Sequence, residues 1–298
     1  MENETEPGVL PRPFSSLIGV DVYALSEKGY VRSQNEDHYL VVRVGRALET
    51  IFSNLGGNRR GDCFDEVGFG FVIADGVSGE AAGEVASRQA IFTLLDLALR
   101  TPDWQFRWGA KERNTVMWRM QDRFRRVNAA LVQQATAHAS LNGMCTTMTV
   151  ALTHGQDLIV GHIGDSRAYL LHEGKLRRLT RDHTVAEHLR EEGIDPANDQ
   201  LLNQLRNVLM HALGGPESEC RPDTSEHRIE DGDQLLLCTD GLTDRVPEAE
   251  IEFVLNKVDS AHLACRTLLN LALNNGGQDN ATVIVARYSI PQVDTETE

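Results

Sequence analysis

The sequence contains no apolar run that approaches the roughly 20 residues of a membrane-spanning helix. Its first residues, "MENETEPGVLPRPF", are acidic and include prolines, which is unlike a secretory leader. We therefore expect a cytoplasmic protein with no membrane among its partners.

Positive charge and paired cysteines are both scarce. Lys and Arg total 29 against 44 Asp and Glu, so the formal net charge is −15, which opposes binding to phosphate backbones. We therefore expect no nucleic acid among the partners. The five cysteines are widely spaced and form no C-x-x-C pair, so neither a disulfide framework nor a zinc site is indicated.

The common phosphate-handling motifs are absent as well. The chain has no G-x-x-x-x-G-K-S/T, no H-E-x-x-H and no G-x-G-x-x-G. No cysteine is followed six residues later by the arginine with which a cysteine nucleophile would hold a phosphate. The remaining candidates for chemistry are acidic residues.

Apolar periodicity predicts an α+β fold. The predicted strands are residues 17–25, 38–44, 68–74, 146–152, 157–164, 166–172, 175–180, 234–239 and 281–288. The predicted helices are residues 79–100, 116–137, 183–193, 199–214, 247–258 and 260–277. In the first, the apolar residues at helical spacing are Val85, Phe92, Leu95 and Leu99. In the second they are Met117, Met120, Phe124, Val127 and Leu131. Short Gly turns between strands favour antiparallel hairpins. We expect two mostly antiparallel sheets packed face to face, with helices outside them.

The domain organisation is predicted to be simple. One domain spans residues 15–290, and disordered tails occupy residues 1–14 and 291–298. We find no internal repeat or low-complexity tract.

Two apolar strands end in Asp-Gly, at Asp75-Gly76 and Asp240-Gly241. By contrast, Asp231-Gly232 has polar neighbours and indicates an ordinary hairpin turn. Acidic or amide residues also stand where other strands meet polar or Gly-rich turns: Glu36, Asp37, Asp165, Asp279 and Asn280. Each of these residues, taken singly, is best explained as a turn residue or hairpin cap.

Taken together, these carboxylates indicate a cation site. Carboxylates crowded at one end of a sheet would repel and raise one another's pKa unless a cation lay among them. Oxygen ligands without His or Cys suit Mg²⁺ or Mn²⁺. Glycine after an aspartate also lets the chain turn sharply and bring a backbone carbonyl close to an ion.

The chain contains, in order, "GYVRSQNED", "VIADGVSG", "CTTMTVAL", "VGHIGDSRAYLL", "LTRDHT", "RNVLMHALG", "LLLCTDGLTD" and "GGQDNATVIV". Over roughly residues 20–288 the sequence thereby resembles the metal-dependent serine/threonine protein phosphatases of type 2C (the PPM family), particularly bacterial members. The resemblance implies a four-layer αββα sandwich with a binuclear Mn²⁺ or Mg²⁺ site. It also implies a flap beside that site, at about residues 181–222.

The resemblance implies a role for each candidate residue. The metal ligands would be Glu36, Asp75, the Gly76 carbonyl, Asp240 and Asp279, with Asp75 bridging two ions, and Asp165 would join Asp240 at a third, weaker ion. Arg32 would grip the substrate phosphate, Asp37 would orient the attacking water, and Asn280 would steady the Asp279 loop. The alternative role for Arg32 is an ordinary salt bridge with Glu36.

The sequence departs from the family pattern at several positions. Val77 stands where many eukaryotic relatives have a histidine that is thought to protonate the leaving group, so no general acid is named. His162 is interpreted as a hydrogen-bonded core residue. The connection from Val44 to Gly68 and the segment with Trp104, Trp108 and Trp118 are longer than the family core. For the tryptophans, core packing is the default interpretation and a partner-docking surface the alternative.

The predicted activity is hydrolysis of phosphoserine and phosphothreonine in proteins, opposing serine/threonine kinases. The predicted partners are phosphoproteins, among them such kinases and their targets. Two alternatives stay open: a catalytically weak module that binds phosphoproteins or a partner, and a two-metal hydrolase of small phosphate esters.

Overall fold

The computed structural model describes residues 17–48, 64–77, 81–100, 110–194, 205, 207–215 and 220–291. The strands are β1 (Gly19–Glu27), β2 (Asp37–Leu48), β3 (Phe64–Asp75), β4 (Cys145–Thr146), β5 (Met148–His154), β6 (Asp157–Ile163), β7 (Arg167–His172), β8 (Lys175–Arg178), β9 (Leu213–Gly214), β10 (Asp223–Arg228), β11 (Gln234–Cys238) and β12 (Ala281–Ser289). The helices are α1 (Ala81–Arg100), α2 (Ala110–Ala137), α3 (Val185–Glu191), α4 (Asp240–Thr243), α5 (Glu248–Lys257) and α6 (Ala261–Asn274), with a 3₁₀ turn at Ala139–Leu141.

The strands form two five-stranded sheets. Sheet A has the order β1-β12-β11-β7-β8, and sheet B has the order β10-β6-β5-β3-β2. All of these neighbouring strands are antiparallel. A separate ribbon pairs β4 with β9. The first and last strands of the described chain are therefore neighbours in sheet A.

The two sheets pack face to face through a fully buried apolar layer. Successive residues of a strand point to opposite faces of its sheet, and β3 uses both faces. Phe71 and Ile73 join Leu235 and Leu237 of sheet A in the layer between the sheets. Every one of these four side chains is at most 1% exposed.

Two further apolar layers bind the helices to the outer faces of the sheets. Val72 and Ala74, on the other face of β3, pack with α1 and α2. On sheet A, Leu236 and Val283 pack with α5 and α6. The predicted α+β class and the helix-sheet-sheet-helix order of layers are confirmed.

The predicted core face of α1 is partly wrong. Phe92 is 59% exposed and Leu99 is 68% exposed, although both were expected in the core. The buried stripe is instead Ala86, Ala90, Ile91 and Leu94. Small alanines at the contact let the helix approach the sheet closely, and a pattern based on large apolar residues passes over them. In α2 the predicted Met120, Phe124, Val127 and Leu131 are buried.

The predicted helix at residues 199–214 is wrong in its described part. Leu209 forms a β-bridge with Thr184, and β9 pairs with β4. Gly214 and Gly215 have φ of 80° and 75°, which ends any helix here. The sequence prediction also missed β10, because "DTSEHR" is a polar edge strand without an apolar face.

Other predictions fall wholly or partly outside the described residues. These are the N-terminal tail, residues 292–298 of the C-terminal tail, Trp104, Trp108 and residues 49–63 of the early connection, whose two ends belong to β2 and β3. Trp118 is described and is 59% exposed, so the packing interpretation is wrong for that residue. The boundaries of the single domain stay a prediction. None of the described helices is both long and apolar enough to cross a membrane.

Candidate metal centre

A cleft of about 210 Å³ lies at one end of the two sheets. Its lining includes every predicted site residue except Asp37: Arg32, Glu36, Asp75, Gly76, Asp165, Asp240, Asp279 and Asn280. Val77, Asn207 and Leu209 complete the lining. Side chains from distant parts of the sequence therefore meet in one place.

Antiparallel pairing explains this convergence. Asp37 begins β2 and lies directly opposite Asp75, the last residue of β3. In sheet A, the end of β11 pairs with the start of β12, so the turns that carry Asp240 and Asp279 lie at the same edge. Asp165 follows β6, in the turn before β7. Each of these residues thus marks a strand end on the same side of the sandwich.

The Asp75-Gly76 turn is held by hydrogen bonds to its backbone. The amide of Asp75 donates to Thr147 Oγ1 at 3.0 Å, and its carbonyl accepts from Thr146 Oγ1 at 2.7 Å. A Cβ on Gly76 would overlap the carbonyl of Gly83, and a Cβ on Gly83 would lie 2.7 Å from Glu36 Oε2. Two glycines are therefore needed for α1 to begin against this turn. Sequence reasoning missed Gly83, for which the Gly-rich run after Asp75 was the available signal.

The Asp240-Gly241 turn contacts the Asp279 loop equally closely. A Cβ on Gly241 would overlap the backbone carbonyl of Asn280. Asp240 begins α4, where the helix N-terminus favours a negative side chain. The absence of a side chain at Gly241 is what allows the two loops to meet.

Asn280 connects three segments at the site. Its Nδ2 donates to the carbonyls of Lys28 and Gln34 at 2.9 and 3.0 Å, and its Oδ1 accepts from the amide of Glu36 at 2.8 Å. Its own amide donates to Asp279 Oδ1 at 2.8 Å. The residue predicted to steady one loop therefore also holds the loop that carries Arg32 and Glu36.

Arg32 lies at the mouth of the cleft and forms an ion pair with Asp279, 2.5 Å from Nη2 to Oδ2. Among the described residues the ion pair of Arg32 is with Asp279 and none is formed with Glu36, so the alternative sequence interpretation, a salt bridge to Glu36, is wrong. Glu36 Oε1 accepts from Gln34 Nε2 at 3.1 Å. The Arg32 side chain is 49% exposed. The hydrogen bond to Asp279 raises the pKa of Arg32 above its ordinary value.

Burial and mutual repulsion raise the pKa values of the crowded carboxylates at the site. Burial raises the pKa of Asp75 well above its usual range, and the charges of Asp37 and Asp240 raise it further. Burial and the charges of Asp165 and Asp279 do the same for Asp240. Burial, with the charge of Asp182, raises the pKa of Asp165 to about 7. A divalent cation would remove the repulsive part of these shifts.

The donor set fits a hard cation. Asp240 Oδ1 is buried without a hydrogen-bond partner among the described residues, and the polar lining is dominated by oxygen. Over the described residues, no three His, Cys, Asp or Glu side chains are already grouped to hold one ion. Asp279 is engaged with Arg32, and Mg²⁺ or Mn²⁺ commonly completes its ligand set with waters and a backbone carbonyl. Side-chain rearrangement is therefore part of the ion binding that we infer.

Asp37 lies beside the cleft without lining it. Its Oδ2 accepts from Thr239 Oγ1 at 2.9 Å and from Thr282 Oγ1 at 2.7 Å. Its Oδ1 is buried and receives no hydroxyl or amide donor from the described residues, and the carboxyl also shares a side-chain hydrogen bond with Asp75. Burial raises the pKa of Asp37 to about 6. Sequence reasoning missed both threonines, although each lies within three residues of a predicted site residue.

A second cavity of about 40 Å³ adjoins the cleft and shares Asp165, Asn207 and Asp240 with it. Asn207, in the flap, donates to Asp244 Oδ2 at 3.2 Å. The amide of Met210 donates to the carbonyl of His183 at 2.7 Å. The described part of the flap is thus tied to the edge of the site.

His162 has the role that the sequence predicted. It is 1% exposed, its Nδ1 bonds Thr149 Oγ1 at 2.9 Å, and its Nε2 lies 2.9 Å from the carbonyl of Arg181. Burial lowers the pKa of His162 to about 4. It is therefore a neutral core residue that donates from Nε2.

Comparison with known proteins identifies the family. The model of the family named protein phosphatase 2C matches residues 63–271. The serine/threonine phosphatase stp of Listeria innocua is 33% identical over 221 residues, which are 74% of this chain and 85% of the relative. The serine/threonine protein phosphatase PstP of Mycobacterium tuberculosis is 35% identical over 263 residues, which are 88% of this chain and 44% of that protein.

A solved structure supports the same family. The crystal structure of the PstP catalytic domain in complex with two manganese ions has a TM-score of 0.70 at 32% identity, over 91% of this chain and 99% of that one. The resemblance predicted from the motifs is confirmed by all of these matches. The chain belongs to the protein phosphatase 2C family and is an enzyme of the serine/threonine phosphatase class.

Proposed function

We propose that this protein hydrolyses phosphoserine and phosphothreonine in proteins with a water activated at a binuclear Mn²⁺ or Mg²⁺ site. The observation that carries the proposal is the convergence on one cleft of Glu36, Asp75, Asp165, Asp240 and Asp279, with Arg32 at its mouth. A cleft lined by carboxylates repels a phosphate monoester unless cations are present. The acidic lining and the arginine together therefore favour a metal-dependent phosphatase.

The expected ion sites are those that the family resemblance implies, and the cleft lining contains all of their residues. Asp75, the Gly76 carbonyl and Glu36 would hold one ion, and Asp75, Asp240 and Asp279 would hold the other. When bound, two such ions lower the pKa of a water, orient the phosphoryl group and neutralise its developing charge. The two manganese ions in the PstP catalytic domain support this count. A third ion, held by Asp165 and Asp240 beside the smaller cavity, is part of the proposal.

Arg32 binds the substrate phosphate in this proposal. Its guanidinium has a planar fork that matches two phosphate oxygens, and about half of the side chain is exposed at the cleft. Its ion pair with Asp279 is exposed, so exchanging that carboxylate for a phosphate loses little. In this proposal Arg32 exchanges the Asp279 carboxylate for the substrate phosphate, and Asp279 binds an ion instead.

We name no proton donor for the leaving alkoxide. Val77 lines the cleft and is 41% exposed at the position where a histidine would otherwise stand. Among the described residues, none of those that line the cleft is His, Cys, Lys or Tyr. We therefore assign no general acid to the described residues.

Phosphoproteins, including serine/threonine kinases and their targets, are the proposed substrates. The names of the relatives support this class. A small phosphate ester is the second candidate, because the cleft of about 210 Å³ also has room for one. A purely binding module is disfavoured because every expected metal ligand is present. Location in the cytoplasm stays a prediction.

The test is hydrolysis of a phosphothreonine peptide and of p-nitrophenyl phosphate by the wild type and by Asp240→Asn, with Mn²⁺ and with chelator. We expect turnover that requires Mn²⁺, is lost in Asp240→Asn and is insensitive to thiol-blocking reagents. Asp231→Asn is the matched control, because Asp231 is also followed by glycine but lies in an exposed turn. Equal turnover in chelator would overturn the metal mechanism, and turnover of p-nitrophenyl phosphate alone would favour small substrates.

A further inference from the structure

Two threonine hydroxyls hold one oxygen of Asp37. Thr239, directly before Asp240, and Thr282, at the start of β12, both donate to Oδ2. Both threonines are 0% exposed, and Asp37 is 5% exposed. The arrangement is therefore shielded from water, where hydrogen bonds to a charged group are strong.

The direction of these hydrogen bonds is fixed by counting protons. A hydroxyl has one proton, and Thr282 donates its proton to Asp37, so Ser26 Oγ must donate to Thr282 Oγ1 across their 2.8 Å contact. Ser26 Oγ in turn accepts from Asn35 Nδ2 at 2.8 Å. Thr239 Oγ1 likewise donates to Asp37 and accepts from the amide of Thr282 at 2.9 Å. Both chains of donors end on Oδ2.

Oδ1 receives no hydroxyl or amide donor from the described residues. It is buried, and apart from the side-chain hydrogen bond that Asp37 shares with Asp75, no partner reaches this oxygen among those residues. Asp37 lies opposite Asp75 in the β2–β3 ladder, so the two side chains emerge on the same face of sheet B. Oδ1 is therefore the oxygen of Asp37 that remains available on the Asp75 side of the site.

We propose that Thr239 and Thr282 are positioning residues, whose hydroxyls together fix the Asp37 carboxylate so that Oδ1 alone accepts a hydrogen bond from the attacking water. This inference rests on the proposed function. It adds that the orientation of the water depends on two side chains that touch neither substrate nor ion. A carboxylate held by one hydroxyl would rotate and offer either oxygen, which would loosen the geometry of attack.

The experiment measures kcat and KM with a phosphothreonine peptide, and Mn²⁺ binding by calorimetry, for Thr239→Val, Thr282→Val and the double variant. Valine keeps the shape of threonine and removes the donor. We expect kcat of the double variant to fall roughly tenfold to a hundredfold, the loss typical of a misplaced group. KM and the Mn²⁺ affinity should stay within about threefold of the wild type, because neither hydroxyl lies on the substrate or on an ion.

Three comparisons distinguish a positioning role of the two threonines from a purely structural one. Thr239→Ser and Thr282→Ser keep the donor and should recover most of kcat. Thr153→Val removes another buried hydroxyl, 4% exposed and on β5 away from the cleft, and should leave kcat unchanged. In an Asp37→Ala background, the valine substitutions should cause little further loss, because they act through Asp37.

Each outcome decides the inference. A kcat loss that serine recovers, with Mn²⁺ binding retained, supports it. Unchanged kcat in the double valine variant, or an equal kcat loss in the Asp37→Ala background, overturns it while the proposed function stands. A fall in Mn²⁺ affinity parallel to kcat also overturns it, because the threonines would then be structural.

If the double variant does not fold, the comparison of Thr282→Val with Thr282→Ser decides by the same criteria. A wild type without Mn²⁺-dependent turnover overturns the proposed function, and this inference with it.

Discussion

Arg32 and Asp279 form an ion pair across 247 residues of sequence, with 2.5 Å between Nη2 and Oδ2. The pair joins a residue proposed to hold phosphate to a residue proposed to hold an ion. Arg32 and the proposed ion therefore compete for the Asp279 carboxylate. Substitution of Arg32 should separate substrate binding from metal binding.

We expect Arg32→Ala to lower kcat/KM for a phosphopeptide by roughly tenfold to a hundredfold, since a hydrogen bond to a charged group contributes about 1.5–3 kcal/mol. Mn²⁺ affinity should be unchanged or higher, because Asp279 loses a competing cation. Steady-state kinetics and Mn²⁺ calorimetry measure the two effects. Arg100→Ala breaks a comparable exposed ion pair with Asp96, 2.8 Å long, and should change neither. Weaker Mn²⁺ binding in Arg32→Ala would contradict this prediction.

Asp240→Asn should have opposite effects on stability and on activity. Burial and neighbouring carboxylates raise the pKa of Asp240 well above its usual range, so the ionised form is unfavourable in the metal-free protein. The neutral amide should therefore raise the free energy of unfolding in chelator by roughly 0.5–2 kcal/mol. With Mn²⁺ present, the wild type should gain stability by ligand linkage, about 2.7 kcal/mol at a hundredfold excess over Kd, and the variant should gain far less. Urea unfolding with and without Mn²⁺ measures both. A variant that is less stable than the wild type in chelator would contradict the electrostatic account.

Gly83→Ala should destabilise the protein despite its position in the first turn of α1. Alanine in a helix ordinarily gains about 0.5–1 kcal/mol over glycine. Here the added Cβ would lie 2.7 Å from Glu36 Oε2 and 3.0 Å from the Gly76 carbonyl carbon. We expect a net loss of roughly 1–3 kcal/mol, the range typical of overpacking, with weaker Mn²⁺ binding. Thermal unfolding and calorimetry test this prediction, and a stabilised variant would refute the close approach of α1 to the site.

His162 should contribute an acid-sensitive part of the stability. Its folded pKa is about 4 against an ordinary value of 6.5, so the unfolded chain binds a proton more readily. Stability due to this group is complete above pH 6.5 and is lost as the pH falls toward 4, by about 3 kcal/mol in all. Urea unfolding between pH 7.5 and 5 should show a steeper decline for the wild type than for His162→Asn. Parallel profiles would contradict the assignment of His162 as a neutral core residue.

His172 should affect the pH dependence of stability in the opposite direction to His162. Its hydrogen bond to Asp233, 2.8 Å long, raises the pKa of His172 above its ordinary value of 6.5. Stability from this pair is complete below pH 6.5 and is lost as the pH rises through the folded pKa. His172→Gln should therefore reduce stability at pH 6 more than at pH 8.5, as measured by urea unfolding. An equal reduction at both values would show that the pair is not charge-assisted.

The acidic residues that line the cleft could be predicted from the sequence because each of them lies where an apolar strand meets a polar or Gly-rich turn. Asp75 and Asp240 end apolar strands, a position where turn chemistry alone explains a carboxylate poorly. Antiparallel pairing then brings strand ends together without any further information. The fold class followed from the same alternation of apolar strands and short turns.

The contacts between loops could not be predicted in the same way. The partner of Arg32 is Asp279 and not the nearby Glu36, because β1 and β12, the first and last described strands, are neighbours in sheet A. The hydroxyls of Thr239 and Thr282 carry no periodic signal, since a buried threonine fits any strand. Polar β10 and the bridge at Leu209 depend on neighbours that a single sequence does not name.

The pairing of β1 with β12 has a consequence for the synthesis of the protein. Asp279 and Asn280 lie near the end of the described chain, and Asn280 holds the loop that carries Glu36. A ribosome must therefore synthesise Asp279, Asn280 and β12 before this cleft is complete. A nascent chain that stops before Asp279 lacks both a proposed ion ligand and β12, the strand that joins β1 to β11 in sheet A, so it cannot form the complete cleft although it already contains β1 to β11.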